Sequence, residues 1–220
     1  MKNIIERVNA GKIVLCNVGQ MRQKYNRDVY SLCQEFVCER VPGLQYFIRN
    51  DAVNDDNYNA VRLYFIYDIE VNTLIGFYTL SSSCMIRKAN DETKEEKFEK
   101  LVSKIVPCVE IHHFALNEKY LAWLDENGYN NKGIGHFIYK NYIRNTIIMT
   151  LENIAFFYVI VHAHKNDKVI NAYRNMGFET YEDVQESLFP IFDELTPLRT
   201  EYEDTCEFMC QSIEDVVLYE

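Results

Sequence analysis

The stretch from Gly133 to Gly177 constrains the fold more than any other part of the chain. Gly133 to Leu151 sets Ile134, Phe137, Ile138, Ile143, Ile147, Ile148 and Leu151 on one face of a long helix. Ile154 to Val161 is apolar throughout, as a central strand buried on both faces should be. Asp167 to Met176 has helical spacing again and stops at Gly177, and Phe178 opens another strand. Helix, buried strand, helix and strand in that order exclude a bundle and an all-β sandwich. They predict an α/β sheet with a parallel central part.

The flanks fit such a sheet. Ile13 to Val18 reads as a short strand. Asn26 to Val41 reads as a helix capped by Asn26 and ended by Pro42-Gly43. Asn50 to Asn59 is polar and reads as a loop. Arg62 to Asp68 and Leu74 to Ser81 form a hairpin around Glu70-Val71-Asn72-Thr73. Asp91 to Ser103 has the pattern of an amphipathic surface helix. Pro107 precedes a strand at Cys108 to Leu116, and Cys206 to Ile213 is the last strand. Hairpin and terminal strands make the sheet mixed. No repeat and no Pro-, Gly- or Ser-rich linker divides the chain, which predicts one domain over 1–220.

Composition removes whole classes. Hydrophobic residues are 48% and charged residues 25%, which excludes a disordered or coiled-coil chain. No run of 18 apolar residues occurs, and Met1 to Glu6 opens no apolar leader. The seven cysteines show no C-x-x-C spacing, which predicts free thiols in a reducing, cytoplasmic setting. The net charge of −10 repels phosphate backbones and favours cationic partners.

Asn130-Asn131-Lys132-Gly133-Ile134-Gly135 opens the long helix. Glycines there let backbone N–H groups approach an anion, and the helix N-terminus adds its dipole. Alone, this pattern fits a plain tight turn as well. A second segment narrows the choice: Asn166, Val169, Tyr173 and Gly177-Phe178 fall at fixed spacing on the next helix. Together the two segments resemble the GNAT superfamily of acyl-CoA-dependent N-acyltransferases. Gly133 and Gly135 match the family's phosphate loop, and Asn130 departs from its usual Arg or Gln. Asn166, Tyr173, Gly177 and Phe178 match its later signature, with Val169 in place of a small residue. The strand Val109 to Leu116 resembles the family's fourth strand, so the likeness covers roughly residues 62–178, with 179–220 as a closing segment.

The resemblance implies a fold, a co-substrate and a chemistry. The fold is α/β: a GNAT-type mixed, mainly antiparallel sheet with splayed central parallel strands, flanked by helices. The co-substrate is acetyl-CoA, held by Ala115, Leu116, Asn130, Asn131, Lys132, Gly133, Ile134, Gly135 and Asn166. The backbone N–H of Leu116 is the natural oxyanion donor. Tyr173 matches the general-acid tyrosine that protonates the leaving thiolate. Glu110 stands where a histone-acetylating branch carries a general base; strand alternation puts Glu110, His112, Phe114 and Leu116 on one side and His113 on the other. His112 is the rival base. No metal is implied, since His162 and His164 lack a third ligand. Ser81-Ser82-Ser83 has no nucleophile signature.

The acceptor is a small-molecule or peptide amine, with a cation favoured by the acidic balance. A second reading comes from Gly76-Phe77-Tyr78-Thr79-Leu80-Ser81-Ser82, which resembles the third strand of GNAT toxins that acetylate aminoacyl-tRNA. In that reading tRNA is a partner; otherwise nucleic acid and membrane are not. A third reading is a non-catalytic acyl-CoA-binding protein. Leu121 to Tyr129, with the single Trp123, looks like an insertion, either a surface excursion or a lid. Homodimers are common in the superfamily.

Overall fold

The computed structural model of the chain describes residues 4–87, 105–180, 188–190 and 205–218. Its first sixty residues are more helical than the periodicity suggests. After α1 (Ile4–Asn9) and the edge strand β1 (Ile13–Asn17), α2 spans Val18–Tyr25. Asn17 caps α2 reciprocally with Gln20, each side chain taking the other's backbone N–H. Asn26 therefore ends a helix instead of starting one. It sits at φ 47°, a left-handed conformation asparagine tolerates, and its N–H returns to Met21 O. Asp28 caps the next helix, α3 (Val29–Gln34), which is much shorter than the predicted 26–41. Pro42 opens α4 (Pro42–Asn50), because the first helical position has no use for an N–H. The expected polar loop holds α5 (Ala52–Asn57), which buries Ala52 and Val53.

The hairpin forms as read. β2 (Arg62–Asp68) pairs antiparallel with β3 (Thr73–Arg87), and β3 continues past Ser81. Asn72 turns the chain at φ 59° and accepts a hydrogen bond from the Tyr67 hydroxyl. β4 (Ile105–Leu116) follows. The segment beyond it is helical, α6 (Glu118–Glu126), capped by Asn117.

The long helix also forms, beginning at Ile134. It runs as α7 (Ile134–Ile138), a π-helical turn (Tyr139–Ile143) and α8 (Arg144–Leu151) without interruption. Asn141, Asn145 and Thr146 donate side-chain hydrogen bonds to carbonyls four residues back, adding donors around the widened turn. β5 (Tyr158–His164) starts later than predicted; Ile154 and Phe157 lie exposed before it. α9 (Asp167–Asn175) ends before Gly177, which takes φ 89°. β6 (Glu179–Thr180), β7 (Leu188–Pro190) and β8 (Cys206–Ser212) follow, and α10 (Ile213–Leu218) is a helix the sequence reading did not expect. The surface helix predicted at 91–103 lies outside the described residues, as does most of 187–201.

The strand order is β1-β2-β3-β4-β5-β8-β6, with β7 paired to β3. β4 and β5 pair in parallel at Cys108 to Glu110, while β1–β2, β2–β3, β3–β7, β5–β8 and β6–β8 are antiparallel. This is the mixed, mainly antiparallel sheet with a parallel centre that the sequence predicts.

Two compact units share these strands: Met1–Ser81 with Ile111–Gly135, and Ser82–Glu110 with His136–Glu220. The first is built on Met21, Leu32, Phe36, Ile48, Leu63, Phe65 and Phe77. The second buries Met85, Cys108, Ile160 and Cys210, together with Tyr139, Ile143, Ile147 and Phe178. All seven cysteines are free, and five are buried. Among the described residues no helix is long and apolar enough to cross a membrane.

Candidate functional site

In the first unit the end of β4 is shaped by β3. The Asn117 N–H donates to Ile75 O at 2.8 Å, and the Asn117 side chain donates to Leu74 O at 2.8 Å. A β-carbon on Gly76 would meet Ala115 O at 2.7 Å, so that oxygen also faces β3. Backbone groups alternate sides along a strand. With Ala115 and Asn117 turned toward β3, the N–H of Leu116 points to the opposite edge. That orientation suits a donor for a substrate carbonyl. The contact also explains Gly76, an isolated glycine inside a β-rich run, which is the sequence signal for close backbone approach. Gly76→Ala should force β3 and β4 apart at this point. The expected cost is roughly 1–3 kcal/mol by chemical denaturation. An unchanged stability would show that the two strands have room for a β-carbon at this point.

Strict alternation fails one turn of the pleat earlier. The rings of His112 and His113 lie 4.3 Å apart, edge to face. Successive side chains on a regular strand point apart, so the strand is irregular here. His113 N–H donates to Thr79 Oγ at 3.0 Å. The Thr79 hydroxyl also lies 3.3 Å from His113 Nδ1, within hydrogen-bond distance. The His113 ring stacks on Phe47 of α4 at 3.7 Å, as expected of a packed histidine. Burial, then His112, pushes His113 down to about 3. Burial also lowers His112, against the pull of Asp55. Both histidines are thus held neutral.

The loop before α7 is set by short-range bonds. Asn130 Oδ1 accepts from Lys132 N at 3.0 Å, and Asn131 Nδ2 donates to Asp125 Oδ2 of α6 at 2.7 Å. Gly133 takes φ 77°, where a side chain would be strained, and the space around its α-carbon is open. Lys132 and Gly133 are exposed, and Ile134 anchors the first turn by burial. An exposed glycine backbone, an exposed lysine and a helix start fit a pyrophosphate. The insertion read at 121–129 is the body of α6. Tyr120 and Leu124 are fully buried, so the helix is anchored in the first unit.

In the second unit Glu110 is buried on β4 beside Ile160 and accepts a hydrogen bond from Ser83. Burial raises its carboxyl to about 7, Ser83 opposing the shift. A base poised near neutrality is what proton abstraction requires. The same shift bears on stability. Between 4.5 and about 7 the folded state holds a proton that the unfolded state has lost, so stability falls as pH rises through that window. Glu110→Gln should flatten this fall and stabilise the protein at pH 8 by on the order of 3 kcal/mol. Parallel pH–stability curves for the two proteins would refute the buried carboxylate. Sequence reasoning found Glu110 but not Ser83, which carries no motif.

Tyr173 lies half-buried on α9, its ring edge to face with Phe178 at 5.5 Å. Phe178 meets Tyr139 of the π-helical turn at 5.6 Å, and the Tyr139 hydroxyl donates to Gln211 Oε1. Tyr173 O accepts from Met176 N and Phe178 N, so the Gly177-Phe178 turn fixes the end of its helix. Burial pushes the Tyr173 phenol up to about 12, with Cys206 adding. The hydroxyl keeps its proton at neutral pH, as a general acid must. Asn166 caps α9, its Oδ1 accepting from Lys168 N at 3.0 Å. That capping role accounts for Asn166 at the start of its motif. The His162 ring faces Phe208 at 5.6 Å. Among the described residues no three His, Cys, Asp or Glu gather as metal ligands.

No protein-family model matches the chain, and no curated protein matches it. Solved structures do. One is a Tyr-to-Phe mutant of the toxin AtaT bound to the C-terminus of the antitoxin AtaR and acetyl-CoA. It is 18% identical, with a TM-score of 0.59 over 94% of this chain and 97% of that one. A Tyr-to-Phe mutant of KacT is 14% identical, with a TM-score of 0.61 over 95% and 99%. AtaT complexed with acetyl-methionyl-tRNAfMet is 19% identical, with a TM-score of 0.56 over 84% and 98%. The chain thus has the fold of these proteins, the GNAT fold that its motifs resemble.

Proposed function

We propose that the chain is an N-acetyltransferase that moves the acetyl group of acetyl-CoA to the α-amine of an aminoacyl-tRNA in the cytoplasm. The observation that carries acetyl transfer is the end of β4, where the Leu116 N–H faces away from β3. Acetyl-CoA supplies an activated thioester. The first-turn N–H groups from Gly133 to Gly135, with Lys132, hold its pyrophosphate. Leu116 N–H stabilises the carbonyl oxygen as negative charge grows on it. Glu110, poised near 7, takes the proton the attacking amine loses. Tyr173 gives its proton to the departing sulfur. His112, lowered by burial, is the weaker candidate for base.

The acceptor follows from likeness and charge. The fold shared with AtaT and KacT runs nearly the full length of both chains. The net charge of −10 argued against tRNA, but it is unevenly spread. Residues 179–220 hold thirteen acidic residues and one basic residue, while residues 1–178 hold twenty acidic and 22 basic. The repulsion of a polyanion is therefore confined to the closing segment.

Saturating acetyl-CoA should raise the melting temperature by several degrees, since ligand at about 100 times its dissociation constant adds roughly 2.7 kcal/mol. Labelled acetyl-CoA should then acetylate charged tRNA, and expression should arrest growth. No thermal shift at millimolar acetyl-CoA would sink the acyltransferase reading. Transfer to polyamines or peptides with none to charged tRNA would move the acceptor to a small cationic amine.

A further inference from the structure

We propose that Arg7 is a positioning residue for the loop that carries Gly133 and Gly135, acting through α6 and Tyr129; this rests on the acetyl-CoA reading above. Arg7 is buried on the short helix α1, far in sequence from any motif. Its Nε donates to Asp68 Oδ2 at 2.9 Å and its Nη2 to Asp68 Oδ1 at 2.8 Å, a two-pronged pair. Nη2 also lies 2.9 Å from Glu70 Oε2. Tyr120 of α6 donates its hydroxyl to the same Asp68 at 2.7 Å.

The guanidinium also covers two aromatic rings. Its central carbon stands 5.0 Å from the Trp123 ring centre and 5.7 Å from that of Tyr129. Arg7 is hydrogen-bonded to the Tyr129 side chain as well. Trp123 lies between Tyr120 and Tyr129, stacked on both at 5.5 and 5.9 Å. The Tyr129 N–H donates to Leu124 O at 2.9 Å. One buried cation thus ties α1, the β2–β3 turn, α6 and the residue immediately before Asn130.

Only Asn130 to Gly133 separate that clamped residue from the start of α7. The Asn131–Asp125 bond ties this short loop to α6 a second time. The path of the loop, and so the direction of its backbone N–H groups, is fixed from Tyr129 and α6. This gives the insertion and its single tryptophan a role that neither a surface excursion nor a lid describes. An aromatic-faced arginine is also not replaceable by lysine, which lacks the planar fork.

The experiment compares two ligands. Acetyl-CoA contains the pyrophosphate and S-acetyl-pantetheine lacks it. Dissociation constants for both are measured on the full chain by calorimetry and by NMR titration, for wild type, Arg7→Met and Tyr129→Phe. Tyr129→Phe removes one hydroxyl and serves if Arg7→Met does not fold. The expected result is at least a tenfold loss of acetyl-CoA affinity in Arg7→Met and a smaller loss in Tyr129→Phe. Affinity for S-acetyl-pantetheine should stay unchanged in both. Unchanged acetyl-CoA affinity in both variants would overturn the proposal, as would an equal loss for both ligands, which a general loosening would give. Wild type binding neither ligand would instead sink the acyltransferase reading.

Discussion

Tyr173→Phe is expected to lower the rate of acetyl transfer by about 10²–10⁴-fold while leaving the dissociation constant for acetyl-CoA within about twofold. The ring is held by Phe178, not by its own hydroxyl, so phenylalanine keeps the packing. What is lost is the proton held up to about 12, available to the departing thiolate at neutral pH. In growing cells the same substitution should relieve arrest. The pH profile gives a second check. The limb set by Glu110 near 7 should persist in residual activity, because Tyr173 and Glu110 are different titrating groups. A Tyr173→Phe protein with full activity would remove Tyr173 from the chemistry, and a protein that loses acetyl-CoA binding would make it a packing residue.

Where local chemistry dictates structure, the sequence is legible. Gly133 and Gly177 both take left-handed conformations at helix boundaries, and both are visible as glycines at the ends of helical spacing. β4 and the hairpin follow from β-rich runs. The N-terminal third is harder to read because asparagine serves three ends. Asn17 starts a helix, Asn26 stops one, and Asn72 turns a hairpin. Spacing alone does not distinguish these uses; the reciprocal Asn17–Gln20 cap does, once it is sought.

The candidate site divides the same way. Glu110, Leu116 and Tyr173 can be named because spacing and resemblance single them out. Ser83 and Arg7 cannot, and Gly76 signals a close backbone approach without saying to what, because their partners lie far away in sequence. Gly76 owes its identity to Ala115, and Arg7 to Asp68, Trp123 and Tyr129. The break in alternation at His112 and His113 is equally silent, since the residues read as ordinary strand.

The largest loss of stability is expected from Asp68→Ala. Asp68 is fully buried and accepts five hydrogen bonds: two from Arg7, one from the Tyr120 hydroxyl, and two at 3.1 Å from the backbone N–H groups of Glu70 and Val71. Removing it leaves a buried guanidinium with only the half-exposed Glu70 as counter-charge, and breaking such a buried pair typically costs about 3–5 kcal/mol. For a chain of this size that lowers the melting temperature by roughly 10 °C or more. The neighbouring Lys12–Glu70 pair, at 2.8 Å but largely solvent-exposed, is the control: Lys12→Ala should change stability far less. The double variant Arg7→Met/Asp68→Ala should lose less than the sum of its single changes, because the second change removes the orphaned charge the first creates. Additive losses, or an Asp68→Ala protein no less stable than Lys12→Ala, would show that the buried pair does not hold this unit together.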